Sequence, residues 1–353
     1  MTTHTLRSRV LAALLACTLA LGGTAAAQAN DCGVDRPLVF ADLDWDSAQV
    51  LNEVVRSILE EGWGCATDSI PGSTLPMMQG AIRGDIDIYM ELWTDNVPEF
   101  WEEAVAAGTV VELNPVFDDA TQGFYVPRYL VEGDAERGIE ALAPDLRHID
   151  DIAQYAHLFR DPEQPDKGRF YNCIIGWYCE GINNVKFHVY GMDEHFTNFR
   201  PGTGVALATT MQTAYLRGEP WFGYYWAPTW VLGALDMIRL DEPAYDEACW
   251  EHMNAHADTP EQATMACAYP DSAAVVVLGS RYKDQVPDDI LTFLSSIRAP
   301  SAVINDLLAF MQASDATPGE AARNFLATNP DAWTFWLDDV DAIYLERVRA
   351  ALN

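Results

Sequence analysis

Eleven tryptophans are a heavy aromatic load, and four of them stand where a binding site would stand. Trp45 and Trp93 each follow an apolar stretch that reads as a strand. Trp226 ends the strand in WFGYYWAPTW, and Trp177 lies in a loop bounded by Cys173 and Cys179. Most tryptophans are packing residues, and Trp63, Trp101, Trp250, Trp333 and Trp336 are read that way. Several indole faces gathered at strand ends suit one ligand class, the quaternary ammonium. Its charge cannot be lost by deprotonation and it offers no N–H donor, while a carboxylate partner is costly to bury. An indole face supplies negative quadrupole and apolar contact together, at roughly 0.5–2 kcal/mol per contact. Three or four faces then reach on the order of −8 kcal/mol, a micromolar affinity.

The stretch NCIIGWYCEGINN (172–184) adds an anion cradle. Cys179-Glu180-Gly181 opens a helix, and the first amides of a helix have no carbonyl partner and point outward. A Cys173–Cys179 bridge would hold Trp177 beside those amides, so that one loop offers a face for a cation and donors for a carboxylate. The acids of FADLDWDSAQVLNE (40–53) invite a different reading. Asp42, Asp44, Asp46 and Glu53 fall at positions 1, 3, 5 and 12 of a calcium loop. Ser47 occupies the sixth position, where glycine is needed for the sharp turn, and a strand precedes the segment. Asp46-Ser47 is better read as the start of a helix, with Ser47 as its cap. His252 and His256 have helical metal spacing but no third ligand in sequence and are read as surface residues. No metal and no cofactor is expected.

Residues 37–113 alternate strand and helix patterns, which argues for a mainly parallel sheet covered on both faces. Leu38-Val39-Phe40-Ala41 is a strand, and the helix that follows to about Glu61 carries Val50, Leu51, Val54, Val55, Ile58 and Leu59 on one face. In GDIDIYMELW (84–93), Asp87, Tyr89, Glu91 and Trp93 share one strand face. A helix around 97–107 and a strand at 110–113 complete the unit. A second unit begins near Gly123-Phe124-Tyr125-Val126, with helices around 149–159, 182–190 and 204–217 and a strand ending at Tyr224-Tyr225-Trp226. An apolar strand over 273–278 and helices 288–297, 301–314, 318–328 and 339–351 follow. The fold class is α/β, in two lobes: residues 30–122 with 272–353, and residues 123–271. Ligands of such folds sit beyond the carboxyl ends of strands, here in the cleft between the lobes.

CIIGWYCEG, GDIDIYMELW, WFGYYWAPTW and the LDW segment together resemble the glycine betaine, proline betaine and choline-binding proteins of ABC importers. The C-terminal TPGEAARNFLATNPDAWTFWL is similar to the closing helices of the choline-binding branch. The resemblance covers nearly all of the chain after its N-terminal segment, and the CxxGWxCE loop is its most specific piece. It implies a two-lobed periplasmic binding protein fold of type II that closes on ligand and docks on a membrane permease. In the betaine branch the aromatic box falls on Trp93, Trp177 and Trp226, with carboxylate contacts on the backbone amides of Tyr178 and Cys179. In the choline branch the box falls on Trp45, Trp93, Tyr125 and Trp226; this chain carries both sets. A histidine that helps hold the carboxylate in some betaine binders is replaced by Val97. Asp46 and Glu91 lie near box positions and would favour a cation without a carboxylate.

The remaining features fit an exported protein. Arg7 and Arg9 precede an apolar run and the small residues AAAQAN, a secretory signal cut before Asn30. A lipidated Cys17 is the lesser reading, because the apolar run continues past it. Removing Arg7 and Arg9 from 21 basic residues leaves 19 against 53 acidic ones, a net charge of −34. Such a surface repels nucleic acid and attracts cations. Six cysteines remain, with 15 possible pairings; the short loop favours Cys173–Cys179, and Cys249–Cys267 with Cys32–Cys65 are the natural remainder. The expectation is a monomeric periplasmic solute-binding subunit, with glycine betaine the leading ligand and choline or a sulfonium analogue next. The rival is a periplasmic enzyme acting on choline esters or betaines, for which the sequence offers no nucleophile and base.

Overall fold

The computed structural model describes residues 31–117, 120–270 and 274–352. The signal segment, Cys17 and the expected return between lobes near residue 271 lie outside them. The first lobe opens with β1 (Leu38–Leu43), α1 (Asp46–Trp63), β2 (Thr67–Gly72), α2 (Thr74–Arg83), β3 (Ile88–Trp93), α3 (Pro98–Ala106) and β4 (Val111–Phe117). The second lobe contains β5 (Thr121–Pro127), α4 (Arg128–Glu132), β6 (Gly168–Tyr171), α5 (Tyr178–Val189), β7 (Phe196–Phe199), α6 (Gly204–Arg217), β8 (Gly223–Ala227), α7 (Trp230–Ala234), β9 (Met237–Arg239) and α8 (Glu247–Ala255). The chain then returns to the first lobe with β10 (Ala274–Leu278), α9 (Asp288–Ser296), α10 (Ser301–Ser314), α11 (Pro318–Thr328) and α12 (Ala342–Ala351).

Each lobe is built on one five-stranded sheet, in the orders β2-β1-β3-β10-β4 and β7-β6-β8-β5-β9. The two orders correspond strand for strand. In each sheet four strands run the same way, as the alternation of strands and helices predicts, and one runs against them. β10 runs antiparallel to β3 and β4, and β5 runs antiparallel to β8 and β9. These are the two strands by which the chain enters a lobe from the other, so no crossover helix sets their direction. The polar edge strand β2, TDSIPG, and the three- and four-residue strands β6, β7 and β9 carry too little apolar pattern to be read from sequence.

The first lobe's core forms as the periodicity requires. α1 buries Val50, Leu51, Val54, Val55, Ile58 and Leu59 and ends at Gly64, whose φ of 73° suits glycine. It packs on α11 and α12, where Trp63 stacks on Tyr344 with ring centroids 4.2 Å apart. Trp63, Trp333 and Trp336 are fully buried, Trp250 nearly so, and Trp101 partly. Two local readings are corrected. The cap of α1 is Trp45, not Ser47, whose hydroxyl is used elsewhere. Residues 149–158 form 3-10 turns rather than an α-helix.

In the second lobe, Lys186 of α5 is fully buried and donates to Glu242 at 2.8 Å, its ammonium 4.0 Å from the Tyr269 ring. Desolvation is the larger influence on Lys186 and lowers its pKa; the Glu242 carboxylate works against that. The pair ties α5 to the segment after β9. Disulfides join Cys32 to Cys65 in the first lobe, and Cys173 to Cys179 and Cys249 to Cys267 in the second.

Candidate functional site

Trp45, Trp93, Trp177 and Trp226 meet around one hollow of about 350 Å³, its mouth included. Two come from each lobe. Trp45 follows β1 and caps α1, Trp93 is the last residue of β3, Trp177 caps α5, and Trp226 lies in β8. Each is less than a tenth exposed. Trp177 stands edge-on to Trp45, with centroids 5.8 Å apart at 80°, and to Trp226, at 5.1 Å and 86°. Perpendicular neighbours make walls rather than a stack, which is how indole faces enclose a compact group. The Trp177 indole N–H donates to Asp44 Oδ1 at 2.7 Å, across the boundary between the lobes.

The Trp177 loop is shaped by two local devices. Gly176 has φ of +100°, a conformation that side chains disfavour, and turns the chain back towards the cleft. The Cys173–Cys179 bridge closes the turn, with Cα atoms 6.0 Å apart. Tyr178 and Cys179 are then the first two residues of α5 and line the hollow. Helix geometry leaves their amides without partners in their own helix. The Tyr178 hydroxyl donates away from them, to Asn254 Oδ1 at 3.1 Å.

Behind the first lobe's two indoles sits Glu91, 1% exposed. Its Oε1 accepts three hydrogen bonds, from Trp45 Nε1 at 2.8 Å, Trp93 Nε1 at 3.1 Å and Ser47 Oγ at 3.1 Å. Its Oε2 has no partner. Burial raises its pKa to about 7, against the lowering effect of those three donors. Glu91 thus fixes the rotation of both rings. Ordinary strand alternation already placed it on the Trp93 face; its link to Trp45 needs the pairing of β1 with β3.

Two amide side chains in the lining were not expected. Gln122 of β5 stands opposite Trp226 in the strand register and lines the hollow. Its Oε1 accepts from the Tyr224 hydroxyl at 2.6 Å, and its buried Nε2 has no acceptor. Asn96, just after Trp93, presents a buried Oδ1 without a partner. No sequence signal marks either, because amides are common and these are single positions. Val97, where a histidine would stand, is fully buried and does not line the hollow.

Tyr125 is not brought to the box. The pleat of β5 turns Gln122 to the hollow and Tyr125 to the other face, where Thr121 hydrogen-bonds it. Asp46, in the first turn of α1, lines a neighbouring hollow with Asp44, Tyr225 and Trp230, and burial raises its pKa. The acids of the calcium-like stretch are dispersed: Asp44 serves Trp177, and Glu53 pairs with Arg56. Among the described residues no three potential metal ligands gather. His252 Nε2 accepts the Thr264 amide at 3.0 Å, and His256 Nδ1 lies 2.8 Å from the His252 carbonyl.

Residues 36–328 match the family described as the substrate-binding domain of the ABC-type glycine betaine transport system. The chain belongs to that family. This betaine-family binding protein is 27% identical over 231 residues to the glycine betaine/proline betaine-binding periplasmic protein of Escherichia coli (strain K12), spanning 61% of this chain and 68% of the relative. Its fold is similar to that of an ABC-transporter choline binding protein in complex with choline, with a TM-score of 0.68 at 16% identity over 91% of this chain and 99% of that one. It is also similar to the lactococcal OpuAC in its closed-liganded conformation with glycine betaine, at 0.63 and 15% over 86% and 100%. The betaine-family binding protein is accordingly a two-lobed substrate-binding component of an importer, not an enzyme. None of its described helices is long and apolar enough to cross a membrane.

Proposed function

We propose that the hollow captures a quaternary ammonium compatible solute, glycine betaine first and choline or a sulfonium analogue next, for delivery to a membrane permease. The observation that carries this reading is the meeting of four indoles, two from each lobe, around one small hollow. The methylated head contacts Trp45, Trp93, Trp177 and Trp226 by cation–π attraction. The carboxylate of a betaine is directed to the amides of Tyr178 and Cys179 and to the free N–H of Gln122, which takes over the task of the missing histidine. Because the box is split between lobes, the ligand gains its full contacts only when they close. That differential contact is what shifts the protein to the closed form. The protein is exported with cleavage before Asn30 and acts as a monomer in the periplasm.

Titration of intrinsic tryptophan fluorescence tests the reading. Glycine betaine should give saturable quenching or a spectral shift, and Trp177→Ala should weaken the affinity at least tenfold, about 1.4 kcal/mol. An unaltered titration in that variant would refute the box.

A further inference from the structure

We infer that Glu91 is the counter-charge of the aromatic box and that its ionisation sets the choice between a plain cation and a zwitterion. The inference rests on the quaternary-ammonium reading of the hollow. The geometry is specific. One carboxylate oxygen holds the N–H groups of both first-lobe indoles, and the other is buried with no partner. Its three donors are neutral. The titratable groups beside it are acids, Tyr89 on its own strand and Asp44, which also acts on Tyr89. α1 offers it only the Ser47 hydroxyl, and Asp42 of β1 lies on the other face of the sheet, near Arg56. β10 presents only Ala, Val and Leu to β3, and α2 turns Met77 and Met78 inward. No basic side chain bonds or pairs with Glu91 among the described residues, so the cation that would balance it must come from the ligand.

In the empty protein a proton on Oε2 removes the buried charge, while Oε1 keeps its three donors. Glu91 is then partly protonated near neutral pH, as its elevated pKa indicates. A permanently charged cation entering the box favours the ionised form, and the proton passes to solvent. A betaine brings its own carboxylate, which offsets that preference. Affinity for choline therefore rises with pH through about 7, while affinity for glycine betaine changes less.

Isothermal titration of choline and glycine betaine at pH 5.5 and 8.5, in two buffers of different ionisation enthalpy, tests this. Choline should bind on the order of tenfold tighter at the higher pH, as charges separated by several ångströms of protein would give. It should release a fraction of a proton near pH 7, and glycine betaine should change by less than about threefold. Glu91→Gln, which keeps an acceptor for the indoles, should flatten the choline profile. Proton release in the unaltered protein reads the same event without any variant. Equal pH responses for the two ligands, or a choline slope that persists in Glu91→Gln, would overturn the inference and leave the box standing. Failure of both ligands to bind at every pH would overturn the box and this inference together.

Discussion

Replacing Glu91 with glutamine should make the empty protein more stable, and increasingly so as the pH rises. In the unfolded chain the carboxyl titrates at its ordinary value of 4.5; burial in the fold raises this to about 7. Below 4.5 the group is protonated in both states and costs nothing. Between 4.5 and 7 the unfolded chain gains by ionising while the fold resists, so stability falls as the pH rises; above 7 the full penalty is in place. The interval corresponds to about 3 kcal/mol at 1.36 kcal/mol for each tenfold change in proton affinity. Glutamine fills the same volume, still accepts from the indoles, and has no charge to bury. With an unfolding entropy of about 2 cal/mol/K per residue, 3 kcal/mol is about 5 °C in a chain of this length. Ligand-free melting curves of both proteins by calorimetry at pH 4.5, 6, 7 and 8.5 supply the test. All other acids titrate alike in the two, so the difference in Tm isolates Glu91. A difference that stays constant across this range would refute the reasoning.

Two further predictions concern closure and ligand class. Asp44→Ala removes the acceptor of the Trp177 indole, a hydrogen bond to a charged group that joins the lobes and is worth about 1.5–3 kcal/mol. Glycine betaine affinity should fall about 10- to 100-fold by fluorescence titration, with Tm little changed; an unaltered affinity would show that the bond does not assist closure. Gln122→Leu removes the unpartnered donor opposite Trp226 and should weaken glycine betaine about tenfold while affecting tetramethylammonium, which has no oxygen, by less than about threefold. Parallel losses would assign Gln122 to packing instead.

Much of the architecture is legible in the chain because burial leaves periodic marks. The apolar stripe of α1 and the run AVVVL of β10 are forced by what they cover. Strand direction leaves no such mark, and the reversed course of β5 and β10 is not legible in the chain. The indoles stood out because large aromatic residues at strand ends are uncommon and because the Cys173–Cys179 loop is distinctive. Partnership was harder. That Glu91 holds two rings follows from which strands lie side by side, and Gln122 is indistinguishable in sequence from any surface glutamine. Tyr125 shows the converse: alignment with a motif locates a residue along the chain, whereas the pleat decides which side of the sheet it serves.

The three cystine bridges each begin and end inside the same half of the molecule. Among the described residues, oxidation therefore stiffens the two jaws separately and places no covalent tether across the gape between them. In an oxidising compartment the protein keeps rigid walls around its guest and an unclamped bite, so trapping and release are left to the guest.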